Sequence, residues 1–142
     1  VPRGVYRCSD GLFVGISTSS DSIAARVVHL LGFDGDDRFT TFAGRIANRE
    51  IIEAAMEAWF AQRTQAEALA IFQEIEAAAG PILSMEDIEK DPHYIAREAV
   101  ITVEGTPMQG LIARLSATPG AVKWRGRATD ADGDAIRKTG WN

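Results

Sequence analysis

The chain has two histidines, and one of them, His93, stands in the segment DPHYIAREAVITVE at residues 91–104, where a predicted helix is followed by a predicted strand. A catalytic histidine needs a second group to orient its ring, and the nearest acid is Asp91. Residues two apart do not face each other on a helix, so Asp91 is badly placed for that task. Asp-Pro is instead typical of a helix start, with Asp91 as N-cap and Pro92 at the first helical position. We interpret His93 as a first-turn residue and not as a base or a metal ligand.

The other side chains that could bind a metal or act as nucleophiles are scattered. His29 lies beside the apolar stripe of a predicted helix and has no second ligand nearby, which indicates a residue at the boundary of the core. Cys8 is the only cysteine; it lies in a β-prone run and is predicted to be buried and unreactive. Two histidines and one cysteine without ligand spacing argue against a transition-metal site.

Two segments come close to known motifs and depart from them at decisive positions. Residues 15–19, GISTS, lack the closing glycine of a nucleophile elbow, and serines ahead of Asp21 fit helix caps. Residues 130–134, DADGD, put glycine at the fourth position of a calcium loop instead of the sixth, and Trp141 at the twelfth. They predict a solvated turn leading into a short helix. The residues alone therefore assign no catalytic or metal-binding side chain.

The composition is that of an ordinary soluble globular protein, with 46% hydrophobic and 25% charged residues in 142. A net charge of −5 argues against a nucleic-acid partner, which would require a basic face. A single cysteine predicts a reducing, cytoplasmic location, and the lack of an apolar run of about 18 residues predicts no membrane partner. The start, Val1-Pro2-Arg3-Gly4, has no Met and no apolar signal core, which predicts an internal cut or a tag remnant.

Hydrophobic periodicity predicts strands near both ends of the chain and helices between them. The predicted strands are residues 5–8, 12–16, 99–103 and 108–113. The predicted helices are residues 22–31 and 47–62, one that starts at the capping box Thr64-Gln65-Ala66-Glu67 and ends before Gly80-Pro81, and short ones after Ser84 and Asp91. The predicted fold class is α+β: a small, mostly antiparallel sheet from two terminal hairpins, with three to four helices between them.

Four segments carry a family pattern in a fixed order. They are GVYRCSDGLFVGIS at residues 4–17, LLGFDGDDRFTTFAGRIANRE at 30–50, AGPILSMEDIEKDPHYIAREAVITVE at 79–104 and IARLSATPG at 112–120. Each segment is a weak signal, but the four together resemble the C-terminal part of class III CoA transferases. This family is also called CaiB–BaiF and includes formyl-CoA transferases, α-methylacyl-CoA racemases and L-carnitine dehydratase-like proteins. In the family, the DPH segment is a structural junction, which agrees with the capping interpretation of His93.

The resemblance implies that this chain is a fragment. Family members have a large Rossmann-like domain, which holds most of the CoA pocket and a catalytic aspartate, and two chains interlock as a dimer. The aspartate attacks the acyl-CoA thioester, giving a mixed anhydride and then an aspartyl-CoA thioester. Residues 1–125 would be the small domain, and residues 126–142 an extended or weakly ordered tail that returns to the missing large domain. The fragment alone would be inactive, with no catalytic residue and no cofactor, and the partners would be the large domain, a second copy and an acyl-CoA substrate.

The resemblance also suggests which residues approach the substrate. Racemase relatives place a glutamate just after the first hairpin, where this chain has Thr18, and this favours a transferase over a racemase. Ser17, Thr18 and Ser19 would then hydrogen-bond an acyl group, although they can equally serve as helix caps. Arg3 and Gly4 are what remains of a loop that covers the active site in some transferases. A non-catalytic interaction module with the same fold is a further alternative.

Overall fold

The chain divides into two units, Val1–Ile82 and Leu83–Asn142, in the computed structural model, which describes residues 1–141. The predicted α+β class is confirmed: small antiparallel sheets are combined with seven α-helices in the described residues. The prediction that both hairpins share one sheet is wrong, because they form two separate sheets. Six of the α-helices lie between the hairpins, more than the three to four expected.

The first unit contains a three-stranded antiparallel sheet with the strand order β1-β2-β3. Its strands are β1 (Arg3–Arg7), β2 (Phe13–Ser17) and β3 (Ala79–Pro81). The hairpin between β1 and β2 turns at the predicted position, where Gly11 has a φ of 84°, a conformation that glycine adopts without strain. The sequence did not predict β3, because Gly80-Pro81 is typical of the end of a helix.

The helices of the first unit begin at polar caps that the sequence displays. They are α1 (Asp21–Leu30), α2 (Phe42–Ala47), α3 (Arg49–Ala61) and α4 (Gln65–Glu74), with a short 3-10 helix at Asp37–Phe39. The predicted capping box at α4 is confirmed, since the Thr64 and Glu67 side chains each bond the other residue's backbone N–H. Helix α2 was missed because its six residues show no apolar stripe; its only buried side chain is Arg45.

One hydrophobic core holds the first unit together, and the inward faces of β1 and β2 pack on α1, α3 and α4. Tyr6 stacks on Phe60 with ring centroids 5.2 Å apart, and Phe60 also contacts Trp59 and Phe72. Cys8 is buried in this core, as predicted, and burial raises the pKa of its thiol. The buried hydrophobic residues are Tyr6, Cys8, Val14, Ile16, Ala24, Val27, Val28, Phe39, Ile52, Met56, Phe60, Ala68, Phe72 and Ala77.

The second unit has almost no interior of its own. Its elements are α5 (Met85–Lys90), α6 (Pro92–Ala96), β4 (Val100–Val103), β5 (Thr106–Gln109) and α7 (Gly133–Thr139). Strand β5 begins earlier than the predicted 108–113 because Glu104 and Gly105, with φ of 50° and 76°, form the turn. No hydrophobic side chain of residues 83–141 is buried.

The tail is only partly as expected. Residues 110–132 contain no helix or strand, and no residue of 126–141 is buried. The prediction of an extended or weakly ordered tail is wrong for α7. The separate prediction that the acid-rich turn at 130–132 leads into a short helix is confirmed. Arg137 stabilises this turn by bonding both carboxylate oxygens of Asp130 and one of Asp134. Asn142 of the predicted tail lies outside the described residues.

Candidate functional site

A groove crosses the three-stranded sheet of the first unit and collects most of the predicted substrate-facing residues. Its volume is about 510 Å³. Because small residues dominate its lining, we call it the glycine groove. The lining residues are Arg3, Gly4, Val5, Gly15, Ile16, Ser17, Ala78, Ala79 and Gly80.

The structure brings three of the five predicted residues together. Arg3, Gly4 and Ser17 line the glycine groove, whereas Thr18 and Ser19 do not. The Thr18 hydroxyl donates to the carbonyl of Pro2 at 2.7 Å, which fastens the segment before β1 to the loop after β2. The cap of α1 is Ser20, whose hydroxyl accepts from the Ile23 N–H at 3.3 Å. The capping role considered for residues 17–19 therefore belongs to the next serine.

Strand register explains the shape of the glycine groove. Val5, Gly15 and Gly80 are aligned across the three strands, with Gly15 in the middle. Since successive residues of a strand point to opposite faces, this row shares the exposed face with Arg3 and Ser17, away from the buried Tyr6. Two glycines in one row leave backbone as the floor, which a ligand can approach closely.

The exposed face of this sheet carries cations without partners. Arg3 and Arg7 make no side-chain hydrogen bond or ion pair with any described residue, and both side chains stand on this face. The lining of the glycine groove includes no acid. The other arginines of the first unit are all engaged, in hydrogen bonds or ion pairs, namely Arg26, Arg38, Arg45, Arg49 and Arg63.

A buried arginine supports the chain segments next to the groove, and sequence reasoning missed it. The Arg45 side chain is 2% exposed, and its guanidinium forms an ion pair with Asp21 at the start of α1. It also donates to the carbonyls of Val1 at 3.1 Å, Phe39 at 3.2 Å and Thr40 at 3.4 Å. Arg45 thus connects the residue segment before β1 with the start of α1, the helix that follows β2. The sequence did not mark Arg45 as buried, because its ion-pair partner Asp21 and the Val1 carbonyl are 24 and 44 residues away.

Beneath the groove, a tyrosine and a glutamate form a hydrogen-bonded pair in the core. The Tyr6 hydroxyl donates to Glu53 Oε2 at 2.6 Å, and the Tyr6 residue is 3% exposed. A Cβ atom at Gly4 would lie 3.1 Å from this hydroxyl, so the phenol limits the size of the residue at position 4. Burial, and then the bond to Glu53, raise the pKa of Tyr6 well above its usual value of about 10.

The raised pKa of Tyr6 predicts that alkaline pH destabilises the fold. Above about pH 10 the unfolded chain releases the Tyr6 proton while the folded chain retains it, so rising pH favours unfolding. We expect Tyr6 to contribute a slope approaching about 1.4 kcal/mol per pH unit to the free energy of unfolding. Urea titrations at several pH values, for wild type and Tyr6→Phe, measure it. The phenylalanine variant should lose this slope, and parallel pH curves for the two proteins would contradict the assignment.

The structure bears out the prediction for His93, whereas the predicted boundary position of His29 is wrong. In α6, the Asp91 carboxylate accepts from the backbone N–H groups of His93 and Tyr94 at 2.8 and 3.2 Å, and Pro92 follows the cap. The prediction that His93 belongs to a helix start is confirmed. His29 is more exposed than the predicted boundary position, and its Nδ1 lies 2.6 Å from Asp34 Oδ1.

A second cavity, of about 610 Å³, lies in the unit of residues 83–141. We call it the hairpin cavity, because β4, β5 and the chain after β5 form much of its wall. Its lining is mainly apolar, with Glu89, His93 and Arg97 among the exceptions. The apolar members include Met85, Ile88, Val100, Met108, Leu111 and Ile112.

Residues 1–141 contain neither a metal-binding cluster nor a membrane-spanning helix. Within residues 1–141, no three His, Cys, Asp or Glu side chains are grouped so that they could hold a metal ion. The acids of residues 130–134 are engaged by arginines; Asp132 pairs with Arg127, as Asp130 and Asp134 do with Arg137. Among the helices of the described residues, none has the length and hydropathy needed to cross a bilayer.

Comparisons with known proteins agree with one another. A family model described as CoA-transferase family III matches residues 1–132. A curated relative, succinyl-CoA–D-citramalate CoA-transferase of Chloroflexus aurantiacus, is 31% identical over an alignment of 135 positions, and the match covers 89% of this chain and 34% of that protein.

Solved structures show the same likeness. A CAIB/BAIF family protein from Brucella suis is 30% identical with a TM-score of 0.69, covering 97% of this chain and 37% of that one. Rv3272 of Mycobacterium tuberculosis shares the fold at 20% identity and a TM-score of 0.69, covering 85% of this chain and 34% of that one. This chain thus spans about a third of the length of these relatives.

Proposed function

Because this chain belongs to CoA-transferase family III, we propose that it is part of an acyl-CoA transferase that moves CoA between carboxylic acids. The observation that carries the proposal is the family match over residues 1–132, nearly the whole chain. The reaction would pass through an aspartyl intermediate, with the nucleophilic aspartate outside this chain. The absence of any acid from the lining of the glycine groove supports placing the nucleophile elsewhere.

Within the parent enzyme, residues 1–125 would be the small domain and residues 126–142 a tail that returns to the large domain. The relatives are about three times as long as this chain, which supports a missing domain. A second copy of the parent would complete an interlocked homodimer. The lone buried Cys8 supports a cytoplasmic location. The chain would bind no cofactor of its own, and a coenzyme A thioester would be the substrate of the parent.

Exposed apolar side chains in the second unit support the same arrangement. Ile112 is 76% exposed and Trp141 is 85% exposed, and the hairpin cavity is open and mainly apolar. Contiguous apolar surface of this kind is rare on proteins that function alone and is typical of an interface. We propose that the large domain, or a second copy, covers it.

The acyl group would lie near the glycine groove, next to Arg3, Gly4 and Ser17, with Thr18 and Ser19 in the following loop. The name of the Chloroflexus relative specifies succinyl-CoA and D-citramalate as its substrates. Carboxylic acids of this kind are the substrate class we propose for the parent of this chain.

Transfer assays on the parent protein and on the isolated chain test this function. We expect the parent to form a new acyl-CoA from succinyl-CoA and a carboxylic acid, with release of succinate, and the isolated chain to form none. Exchange of the proton next to the thioester carbonyl with deuterated solvent, without transfer, would instead identify the racemase branch. Loss of water from L-carnitine would identify a carnitine dehydratase-like enzyme. If the complete parent catalyses none of these reactions, a non-catalytic interaction module replaces our proposal.

A further inference from the structure

We propose that Arg3 and Ser17 form a carboxylate-binding point in the glycine groove, so that the acid handled here carries a second anionic group besides the carboxyl that receives CoA. This inference rests on the proposed function and deepens it, because it specifies the substrate class. Its ligand is a dicarboxylic acid whose remote carboxylate meets Arg3.

The strand register sets the two side chains side by side. Arg3 of β1 is paired with Ser17 of β2, at the open end of the hairpin. Directly opposed residues on one face of an antiparallel pair have Cβ atoms about 4.5–5.5 Å apart. A guanidinium and a hydroxyl at that spacing can bond the same carboxylate, and a planar guanidinium fork matches carboxylate geometry in bidentate fashion.

Both groups are free to bind a ligand. The Arg3 side chain makes no ion pair or hydrogen bond with any residue of 1–141, and the Ser17 hydroxyl likewise has no hydrogen-bond partner among them. The neighbouring hydroxyl of Thr18 is already engaged with the carbonyl of Pro2. In a chain of net charge −5, a free cation beside a groove that no acid lines favours an anionic ligand.

The floor of the groove suits a short, extended acyl chain. Gly15 and Gly80 are paired in register. On this face of the sheet, their row is next to the pair formed by Arg3 and Ser17. An acid held at Arg3 by its remote carboxylate can therefore lie along the backbone of Gly15 and Gly80, beside the Ile82 side chain, whose Cδ1 is 3.1 Å from a Cβ atom built at Gly15. A volume of about 510 Å³ leaves ample room for a dicarboxylic acid of a few carbons.

The phosphates of CoA are a second class of anion that Arg3 can bind. The positive charge of Arg3 alone does not distinguish a CoA phosphate from the remote carboxylate of an acid. The groove favours the acyl group because backbone forms part of its floor and Arg3 is the only cationic residue in its lining. The other free cation of this face, Arg7, does not line the groove. Arg7 is therefore a matched control, with the same residue type on the same strand and face.

The test uses the complete parent protein with propionyl-CoA, whose acyl group has no remote carboxylate, as donor and either succinate or butyrate as acceptor. Butyrate matches succinate in chain length but has a methyl group in place of the remote carboxylate. In Arg3→Met we expect the KM for succinate to rise about 10- to 100-fold, with kcat changed less than about twofold and butyrate kinetics unchanged. Arg3→Lys should recover part of the affinity for succinate, Ser17→Ala should raise the KM about 3- to 10-fold, and Arg7→Met should match wild type.

Each other outcome has a definite meaning. Equal effects of Arg3→Met on succinate and butyrate, accompanied by a weaker KM for the CoA donor, would assign Arg3 to a CoA phosphate and overturn the inference. No effect on either acid would overturn it as well. A wild-type parent that transfers CoA to butyrate and not to succinate would refute the substrate class and leave the proposed function intact. A parent that transfers CoA to no carboxylic acid would refute both.

Discussion

Amide hydrogens in β1 and β2 of the isolated chain are expected to exchange with solvent at least about 1,000-fold more slowly than those in β4 and β5. Both pairs are antiparallel hairpins, so their backbone hydrogen bonding is comparable. They differ in what lies behind them: Tyr6, Val14 and Ile16 of the first hairpin are buried in the core, whereas the second hairpin has no buried side chain. Without apolar burial, little free energy offsets the conformational entropy of ordering the second hairpin.

Hydrogen exchange measured by mass spectrometry or NMR on the intact chain gives this comparison directly, because the two hairpins share one sample. The first hairpin should exchange only through global unfolding, with a free energy of about 5 kcal/mol or more, and the second through local opening that costs little. Adding the large domain in trans, or measuring the complete parent, should raise protection in β4 and β5. Equal protection of the hairpins in the isolated chain would contradict the proposal that a missing surface covers the second unit.

Replacing Arg45 by methionine is expected to lower the free energy of unfolding by about 2–4 kcal/mol. Methionine fills much of the space but donates no hydrogen bond, so the carbonyls of Val1, Phe39 and Thr40 would lose a charged donor. A buried acceptor left without a partner costs about 1–3 kcal/mol. The bond to the Phe39 carbonyl is buried, whereas the bonds to Val1 and Thr40 are partly buried and their loss costs less. Urea denaturation followed by circular dichroism measures the loss.

Arg38→Met is the matched control for Arg45→Met. Arg38 also pairs with an aspartate, Asp36, at 2.7 Å, but its side chain is 53% exposed. Surface pairs of this kind contribute less than about 1 kcal/mol, so the control should stay close to wild type. Arg45→Lys keeps the charge without the planar fork and should fall between them. Equal, small losses in Arg45→Met and Arg38→Met would show that the buried guanidinium does not stabilise the fold.

The elements that the sequence predicted best are those with local causes. The turn at Gly11, the capping box of Thr64 and Glu67, and the Asp91 cap all involve residues within a few positions of each other, and each is present in the structure. The apolar periodicity of α1, α3 and α4 is local in the same sense. In these cases the interactions that fix the structure are already adjacent in the chain.

The features that the sequence did not predict have causes distant along the chain. Strand β3 exists because Ala79–Pro81 finds an open edge at β2, more than sixty residues earlier. Arg45 is buried because Asp21, Val1 and Phe39 converge around it. The glycine groove depends on the same pairing, since Gly15 and Gly80 become neighbours only when β3 joins the sheet. The family resemblance placed Arg3, Gly4 and Ser17 near a substrate but did not indicate which other residues surround them.

Because backbone forms the floor of the glycine groove, single substitutions at its glycines would change the size of the groove. A methyl group added at Gly80 would meet no atom within 4 Å, and one added at Gly15 would come within 3.1 Å of the mobile end of Ile82. Alanine at either position would narrow the glycine groove and leave the pairing of β1, β2 and β3 unchanged. Under the function we propose, alanine at Gly15 or Gly80 would therefore change which acids fit, and natural sequences would diverge in selectivity without a change of fold.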